Sequence, residues 1–282
     1  FLICNYNTNN LLDSCITSVL NLNSDELQIN IYVFDNNSND KSLNVLNKFQ
    51  NLYKINVIYS DENLGYGKAI NKLFNISKSE YVFILNPDTI LDFNYQNLLD
   101  LIQKSSNFDI IGFKILNPER TVQKHITLEP GLFWLFVSIL RKGYPFIMNI
   151  FYKLYFYLLP VDQSKKDNFI SGCALFMKRN IFRIINGFNE KYFLYFEDTE
   201  FFKTAIKKNL VIHESSLTIL HNASYSVKNA NYKIKTQIYK SALLYYKSNF
   251  GIGYFIIAKF LIYISAFFCI LNPINIFFRK NV

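Results

Sequence analysis

Short apolar runs alternate with helical patterns through the N-terminal part of the chain, and this alternation limits the fold more than any other feature. Residues 29–34 and Tyr81–Leu85 are apolar runs of strand length, and Tyr66–Ile76 between them has helical periodicity. Strands that are apolar on both faces belong in a parallel sheet that helices cover on both sides. The pattern therefore predicts an α/β fold with a doubly wound, mostly parallel sheet.

Polar clusters follow the apolar runs. They occupy residues 5–8, 35–40, 61–65 and 86–89. Each cluster on its own also suits a turn or a helix cap. In a doubly wound sheet, however, the ligand crevice lies beyond the carboxyl ends of the strands, where all of these clusters fall. Their recurrence predicts a binding site at that edge of the sheet.

The carboxylate of Asp88 follows the run Tyr81–Leu85 through Asn86-Pro87. The proline fixes the backbone where the chain leaves the sheet. A carboxylate in this place can bind a divalent cation that bridges two phosphates, because hard cations prefer oxygen ligands and Mg²⁺ keeps several waters. We therefore predict a metal-binding role for Asp88.

A second acidic site, Glu197-Asp198, lies in the aromatic segment 192–201. Acids at the start of a helix complement the helix dipole, and this is one interpretation of the site. Capping does not require the aromatic neighbours. Aromatic side chains provide a platform for a sugar ring and desolvate a carboxylate, which raises its pKa towards that of a general base. The second interpretation is therefore catalytic.

The histidines are His125, His213 and His221. We interpret His125 and His213 as structural or exposed. His221 ends a predicted strand directly before Asn222, so its imidazole would point into the same crevice. On position alone, a metal ligand and a structural residue are both open for His221.

A series of short motifs runs in order along residues 1–225. The motifs are Asn5-Tyr6-Asn7, Asp35-Asn36-Asn37-Ser38, Glu62-Asn63-Leu64-Gly65-Tyr66-Gly67, Leu85-Asn86-Pro87-Asp88, Ser171-Gly172-Cys173-Ala174, Gly187-Phe188-Asn189-Glu190, Tyr195-Phe196-Glu197-Asp198 and His221. The series resembles the family-2 glycosyltransferases, and it is most similar to their rhamnosyltransferase-like branch, in which Asn-Pro-Asp commonly replaces the acidic DxD motif.

The resemblance implies the GT-A fold and an inverting, metal-dependent transfer of one sugar from a UDP-, dTDP- or GDP-linked donor. It implies Mg²⁺ or Mn²⁺ at Asp88 and His221, Asp198 as the catalytic base, and Glu197 as its support. The residues that it places at the donor are Asn5, Asn7, Thr8, Asp35, Asn37, Asn63, Gly65, Lys68, Asn86 and Gly172. Gly172 would let the backbone approach the donor sugar. The family's usual Asp of the Phe-Asp-Glu segment is Asn189 here, which argues against a catalytic role at that position.

Composition and hydropathy point to a membrane. Half of the residues are hydrophobic, 17% are aromatic, and the formal net charge is +9. We predict a catalytic domain over 1–225, containing a hydrophobic acceptor-side or membrane-side insert at 131–160, and a helical membrane-associating extension over 226–282. Within the extension, Lys259 interrupts the apolar stretch 252–271, which favours a helix lying in the membrane plane over one that crosses it. A helix packed on the catalytic domain is the third possibility.

These features place the chain at the cytoplasmic face of a bacterial inner membrane, on an anionic lipid surface. The acceptor is then a glycan or a lipid-linked sugar of surface polysaccharide or cell-envelope synthesis. No basic stripe or nucleic-acid motif is present, so we expect no nucleic-acid partner. The chain begins at Phe1 within a predicted strand, so we expect further residues before it and identify no signal peptide.

Three rival functions are less well supported by the sequence. A sugar-nucleotide pyrophosphorylase would carry a glycine-rich phosphate loop near its N-terminus, and residues 1–10 contain no glycine. The second rival is a catalytically inactive, membrane-bound scaffold or sugar-binding module on the same fold. The third is a nucleic-acid binder, the weakest of the three. Processive synthesis is disfavoured, because the family's Gln-x-x-Arg-Trp motif is absent and Trp134 is the only tryptophan.

Overall fold

The structure is a computed structural model, and it describes residues 1–9, 11–53, 55–123, 126–127, 129–132, 135, 169–222 and 232–271. The strands are β1 (Leu2–Asn5), β2 (Tyr32–Asp35), β3 (Asn56–Tyr59), β4 (Tyr81–Leu85), β5 (Thr89–Leu91), β6 (Ile110–Leu116), β7 (Ile126–Thr127), β8 (Phe169–Ile170), β9 (Ala174–Lys178) and β10 (Ile212–His221). The helices are α1 (Leu11–Leu20), α2 (Ser42–Tyr53), α3 (Tyr66–Ile76), α4 (Tyr95–Lys104), α5 (Arg179–Ile185), α6 (Glu197–Lys207), α7 (Tyr232–Phe250) and α8 (Ile252–Leu271).

The central sheet has the strand order β3-β2-β1-β4-β9-β6-β10-β5. The strands β3, β2, β1 and β4 are parallel neighbours, as the strand–helix alternation predicts. Beyond β4 the sheet is mixed, because β9 runs antiparallel to both β4 and β6. The antiparallel pairing of β4 and β9 places Ala174 opposite Leu85, so the start of β9 meets the end of β4 at the edge that carries the polar clusters.

Strand β4 shows why the central strands are apolar throughout. Phe83 and Leu85 belong to the hydrophobic cluster on one face of the sheet. Val82 and Ile84 belong to the cluster on the other face. Successive side chains of a strand point to opposite faces, so a strand covered on both sides must be apolar at every position.

The C-terminal helices α7 and α8 pack against each other and share a third hydrophobic cluster with the segment that precedes α6. In this cluster Tyr245 and Tyr246 of α7 are fully buried, and they pack with Tyr192 and Phe196. Helix α7 therefore attaches to the chain immediately before Glu197, which lies in the aromatic segment predicted to be catalytic.

Helix α8 exposes large apolar side chains on one face. Ile256, Phe260 and Tyr263 are more than half exposed, at 58%, 63% and 64%. Within the part of the chain that the structure describes, no helix is long and apolar enough to cross a membrane. The predicted insert at 131–160 lies outside the described residues except for 131–132 and 135.

Candidate active site

The first two polar loops are tied to each other by Asn5 and Asp35, which are register partners on β1 and β2. Asn5 Nδ2 donates to Asp35 Oδ1 at 2.8 Å, and Asp35 Oδ2 accepts from the Ser38 amide at 3.0 Å. Both side chains are almost completely buried. The carboxylate that the resemblance assigns to the nucleotide therefore also fixes the shape of the two loops.

The remaining predicted donor residues of these loops form the turns around that pair. Thr8 Oγ1 donates to Asn5 Oδ1 at 2.5 Å, and the Asn7 amide donates to Ser38 Oγ at 3.0 Å. Asn7 and Asn37 have positive φ angles of 53° and 65°, a conformation in which asparagine is enriched. Asn37 is exposed at the rim of the site.

Asn36, which the sequence identifies only as part of a motif, connects the second loop to the third. Its Oδ1 accepts from the Leu64 amide at 2.7 Å, and its Nδ2 donates to the Gly65 carbonyl at 3.2 Å. Asn63 Oδ1 accepts from the Gly65 amide at 3.0 Å. Lys68 is half-buried in the first turn of α3, which follows this loop.

Gly65 brings the third loop against the segment that carries the second acidic site. It has a φ of +85°, and a Cβ on it would stand 2.3 Å from the Phe193 carbonyl oxygen. The next amide, that of Tyr66, donates to the same oxygen at 3.1 Å. Only glycine satisfies both the backbone angle and the close approach at this position.

Asp88 and His221 lie together although they are far apart in the sequence. His221 ends β10 opposite Thr89 of β5, and the Asn222 amide donates to the Asp88 carbonyl at 2.9 Å. The His221 Nε2 atom is 3.4 Å from Asp88 Oδ1. Both side chains are nearly buried, with 11% and 6% of their surface exposed.

The chemistry of this donor pair fits a divalent cation. One carboxylate oxygen and one imidazole nitrogen face each other at the edge where the predicted donor residues lie. No group of three or more His, Cys, Asp or Glu residues within the described ranges could hold a metal alone. A carboxylate oxygen and an imidazole nitrogen are both groups that can bind a divalent cation.

Asp198 is held at the N-terminus of α6. Its Oδ1 accepts from the Thr199 amide at 2.7 Å, and its Oδ2 accepts from the Gly172 amide at 3.3 Å. Burial raises the pKa of this carboxyl, although these hydrogen bonds oppose the shift. Sequence reasoning assigned Gly172 to the donor sugar, whereas the structure also places it directly against Asp198.

Glu197 is buried beside Asp198. Its Oε2 atom has no hydrogen-bond partner among the described residues, and neither has the buried hydroxyl of Tyr66. Burial first, and the negative charge of Asp198 second, raise the pKa of Glu197 to about 8. Burial and the charge of Asp198 therefore favour the protonated form of Glu197.

The turn at residues 171–173 connects the two acidic sites. The Cys173 carbonyl accepts from the Asn86 amide at 2.8 Å, and the Gly172 amide donates to Asp198. Burial, with smaller contributions from the charges of Asp88 and Asp198, raises the pKa of the Cys173 thiol to about 12. The turn therefore contacts both the loop that carries Asp88 and the Asp198 carboxylate.

Helix α7 supports the segment before α6 with polar contacts as well as apolar ones. Ser241 Oγ donates to the Leu194 carbonyl at 2.8 Å. The Glu200 Oε2 atom accepts from Asn249 Nδ2 at 2.6 Å and from the Tyr192 hydroxyl at 3.2 Å. Ser241 and Asn249 belong to no recognisable motif, so their contacts with this segment could not be predicted from the sequence.

His213 lies near the start of β10, at the opposite end of the strand from His221. His213 stacks on Phe108 with ring centroids 3.9 Å apart, in keeping with the structural role predicted for it. His125 lies outside the described residues.

Comparison with known proteins gives consistent matches. The profile of the family described as Glycosyl transferase family 2 matches residues 1–185. The low-salt glycan biosynthesis hexosyltransferase Agl10 of Haloferax volcanii is 26% identical in an alignment of length 229 that covers 75% of this chain and 68% of that protein. The N-acetylglucosaminyl-diphospho-decaprenol L-rhamnosyltransferase of Mycobacterium tuberculosis is 22% identical in an alignment of length 220 that covers 71% of this chain and 69% of that protein.

Solved structures of Staphylococcus aureus TarS have a similar fold. The crystal structure of TarS 1–349 has a TM-score of 0.54 at 15% identity and covers 91% of this chain and 79% of its own. TarS 1–349 in complex with UDP-GlcNAc has a TM-score of 0.53 at 16% identity, and the match covers 86% of this chain and 64% of the TarS chain. At these identities the similarity concerns the fold alone.

Proposed function

The chain belongs to glycosyl transferase family 2 and has the GT-A fold, and on this premise we propose that it transfers one sugar from a nucleotide-sugar donor to an acceptor hydroxyl. UDP-, dTDP- and GDP-linked sugars are the donor classes. The acceptor is a glycan or a lipid-linked sugar in bacterial surface polysaccharide synthesis. The names of the two relatives, a glycan-synthesis hexosyltransferase and a rhamnosyltransferase of a decaprenol-linked sugar, support this acceptor class.

The observation that carries the proposal is the turn that joins Asn86 to Asp198. A glycosyltransferase must hold the donor diphosphate and the general base on either side of the sugar that is transferred, so the two must lie close together. The Cys173 carbonyl binds the strand end beside Asp88, and the Gly172 amide binds the Asp198 carboxylate. Adjacent residues of one turn thus contact both halves of the proposed chemistry.

In the proposed mechanism Asp198 accepts the proton of the acceptor hydroxyl while that oxygen forms a bond to the anomeric carbon. The bond between the anomeric carbon and the diphosphate oxygen breaks, and the nucleoside diphosphate leaves with the electron pair. One displacement inverts the anomeric configuration. Protonated Glu197 supports this step, because it leaves Asp198 as the charged member of the pair.

Asp88 and His221 are the residues that would hold Mg²⁺ or Mn²⁺ beside the diphosphate. When bound, such a cation supplies positive charge that offsets the charge developing on the leaving group. The buried loops around Asn5, Asp35 and Asn36 would hold the nucleotide in the orientation that the displacement needs.

We propose that the protein acts at the cytoplasmic face of the inner membrane and that α8 lies on an anionic lipid surface. Lys259 lies 5.9 Å from the Phe255 ring centroid and 6.0 Å from that of Tyr263, beside the exposed apolar face. Cations next to exposed aromatic side chains suit the headgroup region, where the rings enter the lipid and the charges meet phosphate. Residues 226–282 would then be the membrane-associating extension and 1–225 the catalytic domain.

The test is a donor screen with the purified chain. UDP-, dTDP- and GDP-sugars are incubated with and without Mn²⁺, and nucleoside diphosphate release is measured together with transfer to decaprenol-linked or oligosaccharide acceptors. We expect one donor class to be turned over, turnover to stop with EDTA, and the product to have the opposite anomeric configuration by proton NMR. Donor binding with neither hydrolysis nor transfer would instead identify an inactive sugar-binding scaffold, and turnover in EDTA would remove the metal from the mechanism.

A further inference from the structure

Gln123 reaches the His221 ring from a turn that sequence reasoning did not single out. The chain leaves β6 at Leu116, turns through a hydrogen bond of 2.8 Å between the Asn117 amide and the Thr121 carbonyl, and folds back. The Gln123 amide then donates to the Ile115 carbonyl at 2.9 Å. Since β10 pairs with β6, this turn lies beside the end of β10, where His221 is found.

A series of hydrogen bonds fixes the orientation of the side-chain amide group of Gln123. Thr121 Oγ1 donates to Glu119 Oε1 at 3.2 Å and so accepts from Asn117 Nδ2 at 2.8 Å, which turns Asn117 Oδ1 towards Gln123. Gln123 Nε2 donates to that oxygen at 2.9 Å. The Gln123 Oε1 atom therefore faces His221 Nδ1, at 2.8 Å.

This orientation determines where the His221 proton lies. An amide oxygen can only accept, so the 2.8 Å contact requires a hydrogen on Nδ1. A metal-binding histidine offers the lone pair of its other ring nitrogen; here that atom would be Nε2, which lies 3.4 Å from Asp88 Oδ1. Two acceptors that face each other in a nearly buried place repel unless a cation lies between them or next to both.

Histidines that bind metals usually donate their other ring N–H to an oxygen, which sets the tautomer and the ring orientation. We infer that Gln123 is a positioning residue, which holds His221 with its Nε2 lone pair directed at a divalent cation shared with Asp88. The inference rests on the metal role in the proposed function, and it adds a residue outside the donor set. Loss of such a partner typically lowers metal affinity by about 10- to 100-fold.

The experiment measures Mn²⁺ binding to the full chain by electron paramagnetic resonance in the presence of UDP. The variants are Gln123→Ala, which removes the acceptor, and Gln123→Glu, which keeps an acceptor for Nδ1 but cannot donate to Asn117 Oδ1. Gln103→Ala, on the exposed face of α4, is the control for loss of a glutamine side chain. We expect Gln123→Ala to weaken Mn²⁺ binding by about 10- to 100-fold. The Mn²⁺ affinities of Gln123→Glu and Gln103→Ala should stay within a few-fold of the wild-type value.

A second measurement reports the tautomer directly. In protein labelled with ¹⁵N-histidine, the wild type should show His221 with protonated Nδ1 and unprotonated Nε2, and Mg²⁺ should shift the Nε2 resonance. The Gln123→Ala variant should show a mixture of tautomers, a change that a purely structural role for Gln123 would not produce.

The outcomes separate the inference from the proposed function. If the wild type binds no Mn²⁺, the metal assignment fails and the inference fails with it. If the wild type binds Mn²⁺ and Gln123→Ala binds it equally well, only the inference fails. A His221 ring that carries protons on both nitrogens with Mg²⁺ and UDP present would also overturn it, because that ring would be an ion-pair partner of Asp88.

Discussion

Gly172 and Asp198 are in direct contact although 26 residues separate them. The Gly172 amide donates to Asp198 Oδ2 at 3.3 Å, and a Cβ on Gly172 would stand only 2.7 Å from Asp198 Cβ. Real Cβ atoms do not approach other carbons so closely. The proposed base therefore occupies its position because residue 172 has no side chain.

Gly172→Ala should displace the Asp198 carboxylate and lower transfer by about 100-fold or more, since a shift of about 1 Å at a reacting group can cost that much. Donor affinity should change less, because the loops around Asp35 are built from other contacts. The measurement is kcat for transfer together with a binding titration of the donor. Gly253→Ala is the matched control, because a Cβ there meets nothing within 4 Å. Equal kcat for the two variants would contradict the proposed role of the contact.

Asp198→Asn should remove transfer while donor affinity stays within a few-fold, because the amide cannot accept the acceptor's proton. General-base assistance contributes about 10² to 10⁴ in rate. Glu197→Gln should retain much of the activity, since burial favours the protonated form of Glu197 and glutamine resembles that form. If Glu197→Gln is inactive and Asp198→Asn turns over normally, the base must be reassigned to Glu197.

The stability of the protein should depend on pH through Glu197. Its pKa rises from 4.5 to about 8 on folding, so the folded state binds more protons than the unfolded state between these values. The contribution of protonated Glu197 to the free energy of unfolding is therefore fully present below pH 4.5 and is lost as the pH rises through 8. Urea denaturation should show Glu197→Gln gaining about 3 to 5 kcal/mol relative to the wild type between pH 5 and pH 9. Glu26→Gln, at an exposed position, controls for the loss of a negative charge. If the difference in unfolding free energy between Glu197→Gln and the wild type does not change with pH, Glu197 does not take up a proton on folding.

Much of the first half of the fold could be predicted because its signals are local. The apolar run Tyr81–Leu85 and the helical pattern Tyr66–Ile76 have the bounds that sequence reasoning gave them. In the apolar stretch 169–178, strands β8 and β9 are interrupted by residues 171–173, which form the turn to Asp198. That interruption could not be read locally, since its cause is a partner in α6.

The direction of the strands and their long-range pairing could not be predicted from the sequence either. Strand β9 enters between β4 and β6 and runs antiparallel to both, which no pattern within its five residues indicates. Gln123 shows the same limit within the candidate site. It lies in a polar turn that resembles any other, and its contact with His221 depends on the pairing of β6 with β10.

The packing of α7 predicts that the extension cannot be removed as a whole without loss of activity. A chain that ends at residue 240 lacks Tyr245 and Tyr246, which are fully buried against the segment before α6, and it lacks the Asn249 contact to Glu200. Truncating one buried large aromatic side chain costs about 3 to 5 kcal/mol. We expect this chain to lose donor hydrolysis and to melt at lower temperature. Wild-type hydrolysis by the truncated protein would show that α7 does not support the base.

Membrane binding can be tested without disturbing that packing, because the exposed face of α8 is separate from its buried one. The triple substitution Ile256→Ser, Phe260→Ser and Tyr263→Ser removes apolar surface that touches solvent and leaves buried Ala258 in place. Leu52→Ser with Tyr53→Ser on α2 removes similarly exposed apolar side chains elsewhere and is the matched control. Both proteins should keep donor hydrolysis, since none of these residues contacts the candidate site.

Sedimentation with vesicles of phosphatidylglycerol and phosphatidylethanolamine measures the effect. The wild type and the α2 control should sediment with the vesicles, whereas the triple variant should remain largely in the supernatant. High salt should release only part of the wild type, because salt screens the contacts of Lys259 with lipid phosphate but not the burial of Phe260 in the headgroup region. If the triple variant still sediments like the wild type, the exposed face of α8 does not bind lipid, and it must instead cover a surface of another protein or of a second copy of the chain.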